Sequence, residues 1–303
     1  MSILSEERYE KTGKKYPVRL ILKVVGCSSG NWYQAKSDAN EKAKRGRKAI
    51  LSDEELLIEI KIVIGESLFK GEGYRKIWHR LLRKGKKADK ERVNRIMREN
   101  GLLSPYRHDP ATVRKRTHDG VIVTKAPNIL WATDGKKFYV DELGWCWFFG
   151  VIDHFNDQLL SWHICKKGDR YAAMEPVRDA IRKVFGNVDK GVCKGLELKL
   201  RSDHGTQYDS NDFKREMEFL GLDMSKSFVR SPELNGCIER FNRTLEEEVF
   251  CLNHFRTLDE ARVAIAEFID NYNKDWLIGR LGYKSPLEYM SEFEQNKVAL
   301  ATA

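Results

Sequence analysis

Two rhythms of apolar residues divide this chain. In the first hundred residues they recur three and four apart, the spacing that lines one side of a helix. Leu56, Leu57, Ile60 and Ile64 form one such stripe, Ile77, Trp78, Leu81 and Leu82 a second, and Val93, Ile96 and Met97 a third. Ser52-Asp53-Glu54-Glu55 opens the first stripe as a capping box, in which serine and glutamate satisfy each other's backbone N–H groups. The second stripe predicts a helix over Tyr74 to Arg83. The third predicts one from Asp89 to Asn100, stopped by Gly101. Arg83-Lys84-Gly85-Lys86-Lys87 is the turn between them, so the segment reads as a helix-turn-helix. Val18 to Tyr33, with Leu20, Ile21, Val24 and Val25 before Gly26-Cys27-Ser28-Ser29, is an earlier helix-turn unit.

From Asn128 onward the apolar runs are short, β-branched and aromatic. Ile129 to Phe138, Trp145 to Asp153 and Leu159 to Cys165 read as three successive strands. An amphipathic helix over Arg170 to Phe185 follows, then a strand from Leu196 to Ser202, a helix from Asp212 to Leu220, a short strand near Met224 to Ser227 and a helix beginning near Asn235. That order predicts an α/β region, a mixed sheet covered by helices. Residues 105 to 125, with Pro105, Pro110 and Arg114-Lys115-Arg116, have no apolar period and read as a basic linker. The expected divisions are 1–48, an N-terminal basic helical arm; 49–104, the helix-turn-helix region; 105–125, the linker; 126–290, the mixed-sheet core; and 291–303, a C-terminal tail.

Charge says which part meets a polyanion. Residues 1 to 125 hold 30 Lys/Arg against 16 Asp/Glu, whereas the remainder holds 24 against 29. The first part has the electrostatic footprint of a nucleic-acid binder, and a linker of that sign can lie along a phosphate backbone. On the third helix Arg92, Arg95 and Arg98 stay off the core stripe and are the candidate DNA contacts; the Lys42 to Lys48 cluster reads as a solvated linker. The 303 residues, 41% hydrophobic, suffice for a full core and two domains. No apolar run reaches the ~18 residues of a membrane span, and Met1 to Glu10 has no apolar signal core. Six cysteines without a Cys-x-x-Cys pair read as thiols of a reducing cytoplasm.

Three acids stand where metal-dependent phosphoryl transfer needs them. Asp134 lies within the first predicted strand, Asp203 ends the Leu196 to Ser202 strand, and Glu239 sits about one turn into the last helix, with 35 residues between the latter two. Mg²⁺ prefers hard oxygen ligands, and two such ions can clamp the attacking and leaving oxygens of an in-line displacement. Lys136 and Lys137, just past Asp134, are candidate phosphate contacts, and His204 is placed to orient Asp203 or touch substrate. Gln207 and Tyr208 are expected at the rim of the site. Asp153 reads as structural, and Trp145 and Trp147 as packing residues. No serine or cysteine has a histidine at a readable spacing, so covalent catalysis has no support.

Four blocks carry a resemblance: Trp131-Ala132-Thr133-Asp134-Gly135; Arg201 through Asp203-His204-Gly205 to Tyr208; Ser231-Pro232-Glu233-Leu234-Asn235-Gly236-Cys237-Ile238-Glu239 through Arg243 to Leu245; and Tyr272-Asn273 followed by Leu281-Gly282-Tyr283-Lys284-Ser285-Pro286. In this order, and over nearly the whole chain, they resemble the second-reading-frame (OrfB-type) transposases of bacterial insertion sequences, whose catalytic domain is similar to retroviral integrase. The resemblance implies a ribonuclease-H-like core and DDE-type polynucleotidyl transfer by Asp134, Asp203 and Glu239. It implies two Mg²⁺ ions, with Mn²⁺ as a substitute, and hydrolysis of a strand end followed by its transesterification into a target, without covalent intermediate or ATP. Double-stranded DNA, a homo-oligomer on DNA, and fusion with or dependence on the upstream-frame product are the implied partners. A bacterial cytoplasmic, nucleoid-associated location follows. Arg240 and Arg243, flanking Glu239 on its helix, join the candidate DNA contacts.

The sequence also departs from that family. Seven residues after Glu239 the family carries Lys or Arg where this chain has Glu246, and its C-terminal block has Arg and His where this chain has Trp276 and Ile278. Residues 239, 243, 246 and 250 share a helix face, so Glu246 points the same way as Glu239 and would repel phosphate; Arg243, one turn from Glu239, is the candidate replacement cation. The alternative reading is a DNA-binding protein that kept the fold and lost transposition. A ribonuclease-H-like nuclease on RNA–DNA hybrids is disfavoured by the spacing and flanking blocks.

Overall fold

A computed structural model of the chain describes residues 7–30, 50–105, 124–226 and 236–302. It divides into two compact units, Met1–Ile50 and Leu51–Ala303. In the first, α1 (Val18–Val25) ends where Gly26 turns to φ +69°, the stop expected of it. Leu22 is buried, while Leu20, Val24 and Val25 face outward. Residues 31–33 of that expected unit and the Lys42 to Lys48 cluster lie outside the described residues, as do residues 106–123 of the expected linker and Ser231 to Asn235 of the third block.

The second unit begins with α2 (Asp53–Glu66), α3 (Tyr74–Arg83) and α4 (Lys90–Glu99). The capping box forms as expected: Glu55 N donates to Ser52 Oγ at 3.1 Å and Ser52 N to Glu55 Oε2 at 2.7 Å. A cap of this kind contributes about 1 kcal/mol. Asp89 caps α4 through the Glu91 and Arg92 amides, and Gly85, at φ +73°, makes the turn before it. Leu56, Ile60, Ile77, Leu81, Val93, Ile96 and Met97 close a small core of their own.

One sheet follows: β1 (Leu130–Val140), β2 (Gly144–Asp153), β3 (Leu159–Cys165), β4 (Lys199–Ser202) and β5 (Asp223–Lys226), in the order β3-β2-β1-β4-β5. The first three are antiparallel; β4 joins parallel to β1 and β5 parallel to β4. This is the mixed, ribonuclease-H-like sheet that the element order implied. Its two faces are sorted by the period-two alternation of a strand. Trp131, Phe149 and Val151 pack on α5 (Arg170–Phe185) and α7 (Asn211–Leu220), with the short α6 (Thr206–Asp209) alongside. Ala132, Phe148 and Ile152 pack on α8 (Gly236–Leu245) and α9 (Leu258–Asp275). A one-residue slip would exchange the two sets, so the register is strongly fixed.

Two expectations are corrected here. Residues 291–302 are not a tail: α10 (Pro286–Thr302) runs through them, opened by a Ser285–Glu288 capping box and pinned by Phe293 against Phe155 at 4.8 Å between ring centroids. The helix-turn-helix region is also not a separate body. Phe69, in the α2–α3 connection, joins the apolar cluster of α8 and α9. No helix of the described residues is long and apolar enough to cross a membrane.

Candidate active site

Asp134, Lys136, Phe138 and Val140 share with Ala132 the sheet face that α8 covers, because alternate residues of a strand point the same way. Across the sheet Ala132 pairs with Arg201 in the parallel β1–β4 ladder. Two positions further along each chain stand Asp134 and Asp203, at the C-terminal end of β4. Sheet topology thus brings together two acids 69 positions apart. Asp203 ends β4 in a tight turn, accepting the Gly205 amide on Oδ1 at 2.9 Å; a Cβ on Gly205 would sit at that same distance from the carboxylate oxygen. Gly135 is needed for closeness too, since a Cβ there would lie 2.6 Å from the Phe149 ring.

The third acid arrives from the opposite layer. Ile238, Phe241 and Leu245 anchor α8 on the sheet, so that Glu239 is exposed at its edge and Asn242, three residues on, reaches inward. Asn242 donates from Nδ2 to Asp134 Oδ2 at 2.9 Å, and the Gly135 amide donates to Asp134 Oδ1 at 2.8 Å. The acids feel one another. Burial, with the charges of Asp203 and Glu239 adding to it, pushes Asp134 up to about 6 against the pull of those two donors. Glu239 is also raised, by burial first and then by Asp203, while Arg243 opposes the rise. Among the described residues no three acidic, histidine or cysteine side chains form a ready-made metal cage. A divalent ion such as Mg²⁺ keeps several of its waters, so fewer protein ligands can suffice to hold one.

Asn242 is the residue that reading the sequence missed. Its only signal was its place three positions after Glu239, on the same side of the helix.

A family model for an HTH-like domain matches residues 53–110, and one for an integrase core domain matches residues 220–286. Transposase InsD for insertion element IS2A/D/F/H/I/K of Escherichia coli is 30% identical over 247 residues, covering 79% of this chain and 79% of that protein. The chain belongs to the insertion-sequence transposases. Among solved structures, a simian T-cell lymphotropic virus intasome overlaps 76% of this chain and 73% of its own at 17% identity and a TM-score of 0.45. The HTLV-2 integrase catalytic core in complex with magnesium overlaps 54% and 96%, at 18% identity and a TM-score of 0.38.

For this transposase, DNA transposition is the family activity, and the departures noted above have partners. Glu246 does not present a bare charge beside Glu239. Glu246, where α8 gives way to a π-helical segment, Glu246–Phe250, is ion-paired with Lys136. Trp276 packs edge-on against Phe69 at 4.8 Å between centroids, and Ile278 is buried in the cluster between sheet and α9. Asp153 is structural, as expected: buried, it accepts the Asn128 and Phe155 amides, each at 2.8 Å.

Other expected positions are corrected. Tyr208 is not on the rim but buried, its hydroxyl 3.4 Å from Thr133 Oγ1. Trp145 is exposed at 61%, edge-on to Tyr139, whereas Trp147 stacks on Phe149. Arg92 and Arg95 are not unencumbered, because Asp53 at the α2 N-terminus binds both, each at 2.7 Å. Those bonds hold α4 against α2. Arg98 is exposed and has no ion-pair partner among the described residues. Lys136, as noted, is held by Glu246; Arg240 lies 3.8 Å from Asp157, and His204 and Arg243 are exposed beside Asp203 and Glu239.

Proposed function

We propose that this transposase cleaves the ends of its element and joins them to target DNA at a site made by Asp134, Asp203 and Glu239, with two Mg²⁺ ions, or Mn²⁺ in their place, held between them. What supports this reading is the meeting of the three acids: the β1–β4 ladder sets Asp134 beside Asp203, α8 brings Glu239 from the other layer, and the charges of both acids add to the burial that raises Asp134. Carboxylates drawn from β1, the end of β4 and α8 repel one another, and divalent cations relieve repulsion of that kind. The donor set is all oxygen, which fits Mg²⁺. When bound, the ions supply Lewis-acid activation of the attacking oxygen and stabilisation of the leaving 3′-oxygen. The chain's own residues do the rest. Asn242 and the Gly135 amide fix the Asp134 carboxylate in one orientation, and the turn at Gly205 fixes that of Asp203. Arg243 supplies positive charge beside Glu239, where a DNA phosphate approaches, and Lys136, Arg240 and His204 border the same ground.

The helical region 49–104 grips the duplex, with Arg98 as its least encumbered cation, and the segments 1–48 and 105–125 add basic charge; 126–290 is the catalytic core. Joining needs two DNA ends at once, so at least two copies assemble on DNA, alone or with an upstream-frame partner, in the bacterial cytoplasm at the nucleoid. Incubation of the purified chain with labelled duplex ends, Mn²⁺ and a target plasmid tests this. Joined product that Asp203→Asn abolishes is expected. Joining that survives that substitution, or that needs no divalent ion, overturns the assignment of the site.

A further inference from the structure

The helix that carries Glu239 does not stop at the site. It continues through the π-helical segment Glu246–Phe250, whose side chains reach two other elements: Glu246 the β1 residue Lys136, and Glu248 the connection between α2 and α3. The Glu248 carboxylate is nearly buried, and it accepts the Lys70 amide on Oε2 at 2.7 Å and the Gly71 amide on Oε1 at 2.6 Å. Two successive amides on one carboxylate make a charge-assisted fork. Around it the same connection is fastened on both sides. Phe69 inserts against Phe268 and Trp276, and Arg80 on α3 bridges the buried Glu72 at 2.6 Å and Asp275 at the end of α9 at 2.9 Å. From Glu239 to Glu248 the helix spans only about 13 Å at ~1.5 Å per residue. A π-turn inside a helix is a register device often found at functional sites.

We propose that Glu248 is a positioning residue for Glu239: by clasping the Lys70 and Gly71 amides it fixes the far end of the Glu239 helix to the HTH-like region, so that the acid is set for metal only while that region is docked. This rests on the reading of Glu239 as a metal-holding acid. The HTH-like region then both holds DNA and sets the geometry of the acid, through one rigid element and a contact lying nine residues from it.

Mn²⁺ binding to the DNA-free full chain, followed by calorimetry, reads this directly, beside the affinity for a duplex element end. Glu248→Ala is expected to weaken Mn²⁺ binding on the order of tenfold, the lower end of what is lost when a partner that orients a metal ligand is removed. It leaves the duplex affinity within about threefold, because the helical core and its cations are untouched. Glu248→Gln, which keeps one acceptor oxygen but turns a donor toward the second amide, recovers only part of the loss. Should Glu248→Ala not fold, Phe69→Leu loosens the same connection from the other side and is expected to weaken Mn²⁺ binding in the same direction. Parent-like Mn²⁺ affinity in whichever variant folds, with the connection shown released by limited proteolysis, overturns the proposal. So does a loss of duplex affinity as large as the loss of Mn²⁺. Asp203→Asn separates this from the site itself: if that variant keeps Mn²⁺ binding and joining, the triad is wrong; if it loses both while Glu248→Ala loses neither, only the clasp is wrong.

Discussion

At the scale of single residues, the site is governed by what neutralises Asp134. Its carboxylate is held by two donors, the Gly135 amide and Asn242, and raised to about 6 chiefly by burial. A raised carboxyl favours its protonated form, and a proton competes with a cation for the same oxygens. Half-saturating Mg²⁺ for strand transfer is therefore expected to climb as pH falls through about 6 and to level off above it. Asn242 stabilises the ionised form, so Asn242→Ala is expected to move that rise to higher pH. It should also weaken metal use by roughly ten- to a hundredfold, the usual cost of losing a partner that orients a ligand. A pH series of Mg²⁺ titrations on parent and variant decides it. Identical curves would mean that Asn242 only fills space.

At the scale of elements, local chemistry wrote most of what the sequence revealed. The Ser52–Glu55 cap, the Gly26 and Gly101 stops and the alternation within β1 to β3 are all decided by residues within a few positions of one another, and the corresponding elements are where the pattern put them. The three acids stood out because the blocks around them are distinctive, and β1, the end of β4 and α8 carry them. What stayed hidden depends on partners far along the chain. Arg92 and Arg95 read as free cations until α2 brought Asp53 to them, some 40 residues away. Glu246 read as a repulsive charge because its pairing with Lys136, 110 positions earlier, leaves no local trace. That pair has a testable consequence. It is partly exposed and worth at most about 1 kcal/mol to stability, but it occupies a cation next to Asp134. Glu246→Gln is expected to leave the melting temperature nearly unchanged while tightening duplex binding a few-fold at low salt. Its salt dependence should steepen by roughly one phosphate contact. Filter binding across a salt series checks this, and an unchanged slope would show that Lys136 never reaches phosphate.

At the scale of the whole unit from Leu51 to Ala303, the seam between HTH-like region and catalytic core is as charged as it is apolar. Glu72, Lys76, Arg80, Glu248 and Asp275 meet there around Phe69 and Trp276. Lys76 is the anomaly. Its ammonium lies over the Trp276 ring with no hydrogen-bond partner among the described residues, and burial lowers it to about 7, against the pull of Glu72 and Glu248 and with a small push from Arg80. A lysine depressed in the folded chain binds fewer protons there than in the unfolded chain between about 7 and the ordinary 10.5. Stability therefore rises with pH across that window, and the full cost of the buried charge is present below it. Glu72 keeps Arg80 and Glu248 keeps its two amides when the ammonium is removed, so neither acid is stranded. Lys76→Met is accordingly expected to stabilise the chain at pH 7 by about 1–3 kcal/mol, as apolar replacements of buried charges often do, and to flatten the rise toward pH 10. Urea unfolding at pH 7 and pH 9.5 measures both effects. Destabilisation at pH 7 would mean that the attraction of Lys76 to its acids and to Trp276 outweighs its desolvation, and that the seam is held by that charge rather than in spite of it.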